Sequence, residues 1–191
     1  MSFFSKTPKL NYEDGIEAAK EARRLYKEKL YEEALPLYDK AIKSGVTQVH
    51  IDRAFCLQAL EYHINAILDF DIAVKQNPND CNIYFCRGNS KHAIGDLVGA
   101  VIDAEMAMEL SSIDNEINRT RVKNIGNYKT LREFYDIGTL MWRMDLVYFN
   151  EKWNKMETAK SEANKEVFDN EWGMIKYQYV ESAKYKSRPI K

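Results

Sequence analysis

Residues 64–80 read INAILDFDIAVKQNPND, and this stretch decides the fold. Ala66, Phe70 and Ala73 follow at i, i+4 and i+7, so they share one face of a helix. Asn77-Pro78-Asn79-Asp80 then breaks it. The same alanine pair stands 32 residues earlier as Ala34 and Ala41, and 34 residues later as Ala100 and Ala107. A period of that length marks a tandem array of two-helix units. Each unit is too small to fold alone and buries its face on its neighbour.

Working outward, the apolar spacing predicts helices over 14–28, 32–43, 49–60, 64–75, 82–94 and 97–110. Pro36 is placed in the opening turn of the second helix, where a missing N–H costs little. Ser44-Gly45 reads as a C-cap, and Gly95-Asp96 as the turn inside the third unit. The domain plan is a lead-in over 1–13, three hairpins over 14–114 and a helical extension over 115–191.

Three stretches carry a resemblance: YEEALPLYDKAIKSG (31–45), the segment 64–80 with its trailing proline, and IYFCRGNSKHAIGDLVGAVIDAEMAMEL (83–110). Together with EAAKEARRLYKEKLYEEA (17–34) they resemble tetratricopeptide (TPR) repeats, three in register. The resemblance implies an all-α solenoid of helical hairpins whose concave face, lined by the first helix of each hairpin, binds a peptide or a partner helix. Ala22 and Ala54 stand where the family often has glycine, and His63 where it has Tyr or Leu.

The small residues have a physical role. Ala34, Ala66 and Ala100 are expected at the closest approach of each hairpin's two helices, opposite Ala22, Ala54 and Gly88. A large side chain at either place costs about 1–3 kcal/mol. Tyr38 and Phe70 are expected to fill the wider space between units. Ala104 at the equivalent place is small, so a bulky downstream group is expected to complete the third unit.

Composition limits the function classes. Net charge is -1 with 30% charged residues, which lacks the basic surplus a nucleic-acid binder needs. Eight glycines and four prolines are too few for a turn-rich β architecture. No run is long and apolar enough to span a bilayer, and MSFFSKTPKL does not read as a secretory signal. The expected compartment is the cytoplasm, with export lacking an N-terminal signal as the alternative. Three cysteines, Cys56, Cys81 and Cys86, do not make a disulfide framework.

No Gly-rich phosphate loop, HExxH or GxSxG occurs, so the chain is expected to be no enzyme and to need no cofactor. His50, His63 and His92 fall in different units, and Cys81 and Cys86 are five apart, so no metal is expected. Asp69 and Asp71 point to different faces of one helix and cannot share a proton.

The resemblance places the candidate groove on Lys20, Arg23 and Lys27, then Asp52, Phe55 and Gln58, then Asn82, Phe85, Asn89 and His92. A chaperone-binding TPR subclass clamps a C-terminal carboxylate with Lys and Asn side chains and an Arg. At the matching places this chain has Ala19, Arg23, Asp52, Asn82 and Cys86. None of the five is retained, and Asp52 repels a carboxylate. Arg23 and Lys27 still favour an acidic peptide.

Residues 115–127 read as a short helix and a loop. A degenerate fourth hairpin is expected over 128–163, with Met156 where the other units have a small alanine. An amphipathic helix is expected over 161–186, with Ala163, Val167, Trp172, Ile175, Tyr179 and Ala183 on one stripe. It either caps the array or lies in its groove. Two functions follow. The first is a non-catalytic protein-interaction scaffold or adaptor. The second is a structural subunit or chaperone that self-associates, as a homo-oligomer, or binds a client through the aromatic C-terminal helices.

Overall fold

The computed structural model describes residues 11–161. Among them are eight α-helices and no strand. The first hairpin is α1 (Tyr12–Lys27) and α2 (Tyr31–Lys43). The second is α3 (His50–Ala59), entered through a 3-10 turn at Thr47–Val49, and α4 (His63–Gln76). The third is α5 (Cys81–Ala93) and α6 (Leu97–Ser111). A short α7 (Glu116–Val122) leads to a long α8 (Leu131–Ser161). The expected capping helix over 161–186 and most of the lead-in lie outside the described residues.

Each hairpin turns on a residue with positive φ: Lys29 (62°), Glu61 (62°) and Gly95 (84°). Only Gly95 adopts that conformation without steric cost. Side-chain caps start some helices. Asn11 accepts from the Asp14 amide at 2.7 Å, and Asp96 from the Gly99 amide at 2.9 Å. Pro36 lies in the second turn of α2 rather than the first. It is exposed, so the carbonyl left without its donor stands on the wet side of the helix.

The small residues are where the period puts them. Ala22, Ala34, Ala54, Ala66 and Ala100 are completely buried. Gly88 sits in a tight place, where a Cβ would stand 3.1 Å from the Ala100 carbonyl and 3.1 Å from the Trp142 ring. Tyr38 and Phe70 are among the largest fully buried side chains. Beside Ala104 the missing bulk comes from Trp142 of α8, which closes a cluster with Ala100 and Ala104.

One expectation fails. The segment 128–163 is not a hairpin, because α8 runs unbroken from Leu131 to Ser161. A repeated arginine gives the reason. Arg53 reaches Asp39 of the preceding hairpin at 2.7 Å, and Arg87 reaches Asp71 at 2.7 Å. Arg143 of α8 reaches Glu105 at 3.5 Å in the same sense. In this register α8 is the first helix of a fourth unit. Met144 then follows Arg143 where Ala54 follows Arg53 and Gly88 follows Arg87. Met156 takes the place of Ala66 and Ala100. Methionine at both of these sequence positions would overpack a close approach of two helices, which disfavours a turn at Glu151. Gly138 lets α8 lie against Phe85. A Cβ there would stand 2.7 Å from its ring.

Candidate protein-binding surface

The first helices of the hairpins are tied edge to edge by side chains. Arg23 of α1 pairs with Asp52 of α3 at 2.7 Å. Gln58 of α3 donates to the Cys86 carbonyl and to Ser90 Oγ of α5, both at 2.8 Å. His92 of α5 meets Asp145 of α8 at 2.8 Å and stacks on Trp142, centroids 5.5 Å apart. These contacts make α1, α3, α5 and α8 one continuous layer.

The ten candidate groove residues divide by what they touch. Lys20, Arg23, Lys27 and Asn89 are exposed, and Asp52, Phe55 and Asn82 are half-buried. Lys20 pairs with Glu17 on its own helix at 2.7 Å. Phe55 lies edge-on to Phe70, centroids 5.5 Å apart. Gln58, Phe85 and His92 serve packing between units. Phe85 is flanked by Trp142, Tyr135 and Phe134, with centroids at 5.2, 4.8 and 6.1 Å.

The electrostatics have local causes. Arg24 holds the Glu21 carboxyl below its ordinary range through a side-chain hydrogen bond. Burial pushes the Tyr26 phenol up. Desolvation pushes the Cys86 thiol up to about 12. Burial holds His63 below its ordinary value.

A second set of charges went unread in the sequence. Arg53 grips Asp69 of its own hairpin at 2.7 Å as well as Asp39 of the preceding one, and His50 meets the same Asp69 at 2.7 Å. Arg87 repeats this with Asp103 at 2.7 Å and Asp71 at 2.7 Å. Asp69 and Asp103 are buried, and the hydrogen bond from Arg87 to Asp103 is the main force holding its guanidinium charged. The signal was there: Arg53 and Arg87, and likewise Asp69 and Asp103, are 34 apart. Asp69 and Asp71 do point apart, one into its own hairpin and one toward the next.

The cysteines pack. Cys56 and Cys81 are buried, and the Cys81 thiol lies 3.3 Å from Asn118 Oδ1 and 3.5 Å from the Tyr135 hydroxyl. Arg121 beside them pairs with Asp80 and so docks α7 on the start of α5. Among the described residues no three His, Cys, Asp or Glu side chains are placed to hold a metal. No described helix is long and apolar enough to cross a membrane.

A scan of protein-family models finds none that matches this sequence. A search of curated proteins likewise finds no match. Among solved structures, the chain is similar to the first TPR domain of Spaghetti (RPAP3), bound in that structure to the HSP90 peptide SRMEEVD. The TM-score is 0.50 at 21% identity, over 62% of this chain and 94% of that one. With the stacked hairpins already described, the likeness defines the fold. The chain has the tetratricopeptide-repeat fold, an all-α solenoid of helical hairpins.

Proposed function

We propose that the chain is a non-catalytic adaptor that holds a segment of another protein along the layer made by α1, α3 and α5. The observation that carries this reading is the pairing of exposed cations with amide and aromatic groups on that layer. Lys20, Arg23, Lys27 and Asn89 are open to solvent, with Phe55, Asp52 and Asn82 half-open among them. Cations at one end suit an acidic stretch, and Phe55 with the amides suits an apolar anchor and its backbone. A rigid layer reduces the ordering cost of binding. The structural neighbour holds a peptide ending in acidic residues. Here Asp52 already occupies Arg23, so recognition rests on an internal acidic segment rather than a clamped terminal carboxylate.

The test uses peptides selected from a random display library against the intact chain. Arg23→Glu with Lys27→Glu, and separately Phe55→Ala, are expected to weaken the selected peptides at least tenfold with helicity unchanged. Full affinity in all these variants contradicts the reading. Phe85 is no test residue, since it packs on α8.

A second reading rests on α8. Ile137, Leu140, Met141, Met144, Val147 and Tyr148 are all exposed on it. In this reading α8 takes a second copy or a client. Light scattering that finds a dimer lost in Met144→Glu supports self-association, and a monomer at high concentration removes it.

A further inference from the structure

The helix α8 stands in the array as a first helix without a second. Each later first helix packs on the second helix of the hairpin before it, α3 on α2 and α5 on α4, and α8 packs on α6 in the same way. The side-chain ties repeat too. Gln58 of α3 reaches the Cys86 carbonyl of α5, and its counterpart His92 stacks on Trp142 of α8, the counterpart of Cys86. But α3 and α5 also pack on second helices of their own, α4 and α6. Among the described residues no later helix follows to do this for α8.

The register identifies the face left open. Leu140, Met144 and Val147 of α8 correspond to Tyr84, Gly88 and Lys91 of α5. A Cβ on Gly88 would stand 3.2 Å from Asp103 Cβ of α6, and Lys91 pairs with Asp103 at 2.9 Å. In α3 the first of these places holds His50, which meets Asp69 of α4 at 2.7 Å. These positions therefore look at a hairpin's own second helix. On α8 they are apolar and uncovered, with Leu140 55%, Met144 62% and Val147 56% exposed.

The sequence after α8 carries a stripe of the right kind and length. Trp172, Ile175 and Tyr179 recur at steps of three and four, and Ser182-Ala183 follows at the next. From Ser161 back to Leu140 is about 32 Å at roughly 1.5 Å per residue. After a reversal of about four residues, an antiparallel helix covers that distance by about residue 187. It passes Val147 near Tyr179 and Val180, and Met144 near Ser182 and Ala183. Bulk is then exchanged rather than doubled at the close approach, because the large Met144 meets the smallest side chains of the stripe.

We infer that residues 162–191 supply the second helix of the fourth unit, docked on Leu140, Met144 and Val147. Tethered to Ser161, the segment has an effective concentration on the order of millimolar, so it takes this face ahead of a second copy at lower protein concentration. A second copy or a client gains α8 only by displacing it. The segment thus covers the end of the array and leaves the α1, α3, α5 layer open, and the inference does not rest on what that layer binds.

Hydrogen exchange read by mass spectrometry on the full chain tests this, at a concentration where light scattering finds a monomer. Most helical stability comes from packing of an apolar face, so protection of amides 170–184 reports docking. These amides are expected to exchange at least tenfold more slowly than in the denatured chain. Leu140→Asp with Val147→Asp is expected to reduce that protection at least tenfold while α1 to α6 keep theirs. Should this variant disturb α1 to α6, Tyr179→Asp decides from the other side of the contact, with the same loss expected. Arg23→Glu with Lys27→Glu is expected to change nothing. Unprotected amides in the wild-type chain overturn the inference, and so does protection indifferent to the deciding variant. Protection lost in the Arg23, Lys27 variant would place the segment in the groove, and protection found only where light scattering shows a dimer would give the face to a second copy. Either result also overturns it.

Discussion

Trp142 stacks on Phe85 with ring centroids 5.2 Å apart and planes inclined by 20°. Through this contact α8 closes the open end of the third hairpin. Trp142 also reaches the space beside Gly88 and Ala104, which a regular unit would fill from its own second helix. Trp142→Ala is therefore expected to cost about 3–5 kcal/mol in urea denaturation. A loss below about 1 kcal/mol would mean that α8 is an appendage and not part of the array.

Arg87 ties two hairpins, and its two partners are unequal. Asp103 is 2% exposed, whereas Asp71 is 45% exposed. Removing one partner of a buried pair leaves an uncompensated charge, a cost of about 3–5 kcal/mol. Lys91, 2.9 Å from Asp103, limits that cost for Arg87→Ala. Arg87→Ala is expected to destabilise by roughly 2–4 kcal/mol, and Asp71→Asn by about 1 kcal/mol or less. Equal effects in chemical denaturation would contradict this division.

The thiols should be silent in the native chain. Cys56 and Cys81 are buried. Cys86 keeps some exposed surface, yet desolvation pushes its pKa up to about 12. Thiolate is the reactive form, so it is scarce at pH 8. A colorimetric disulfide reagent is expected to titrate no thiol in the folded protein at pH 8 and three in denaturant. A rapidly reacting native thiol would mean that the α5 region opens readily.

How far the sequence speaks depends on which contacts repeat. Six helices and their close approaches were legible because Ala34, Ala66 and Ala100 must be small wherever two helices touch. The arginine ties were equally periodic, yet they were hidden because Asp69 and Asp71, two apart in sequence, serve arginines of two different hairpins. α8 was misread as a hairpin because its large apolar residues, Trp142 among them, satisfy either a hairpin or one long helix. Met144 and Met156 decide between the two only once the register from Arg143 is known. For the groove, residue type alone did not reveal that Phe85 and His92 face α8 rather than open solvent.

His63 sets a pH dependence. Burial holds its folded pKa below the ordinary 6.5, so the unfolded chain binds more protons as the solution acidifies. The stability that neutral His63 contributes is present above pH 6.5 and is lost as pH falls through its folded pKa. His63→Gln is expected to flatten the fall in melting temperature between pH 7 and pH 5 relative to wild type. Parallel curves for the two proteins would contradict the burial of a neutral ring.

The central claim is that two-helix modules stack through contacts too tight for any but the smallest side chains. Thermal denaturation of Ala66→Leu tests it most directly, since Ala66 is fully buried at the approach of α4 to α3. Overpacking by about 1–3 kcal/mol is expected to lower the melting temperature by roughly 3–8 °C, with helicity retained at low temperature. A variant that melts at the wild-type temperature or above would show that the modules do not meet at Ala66.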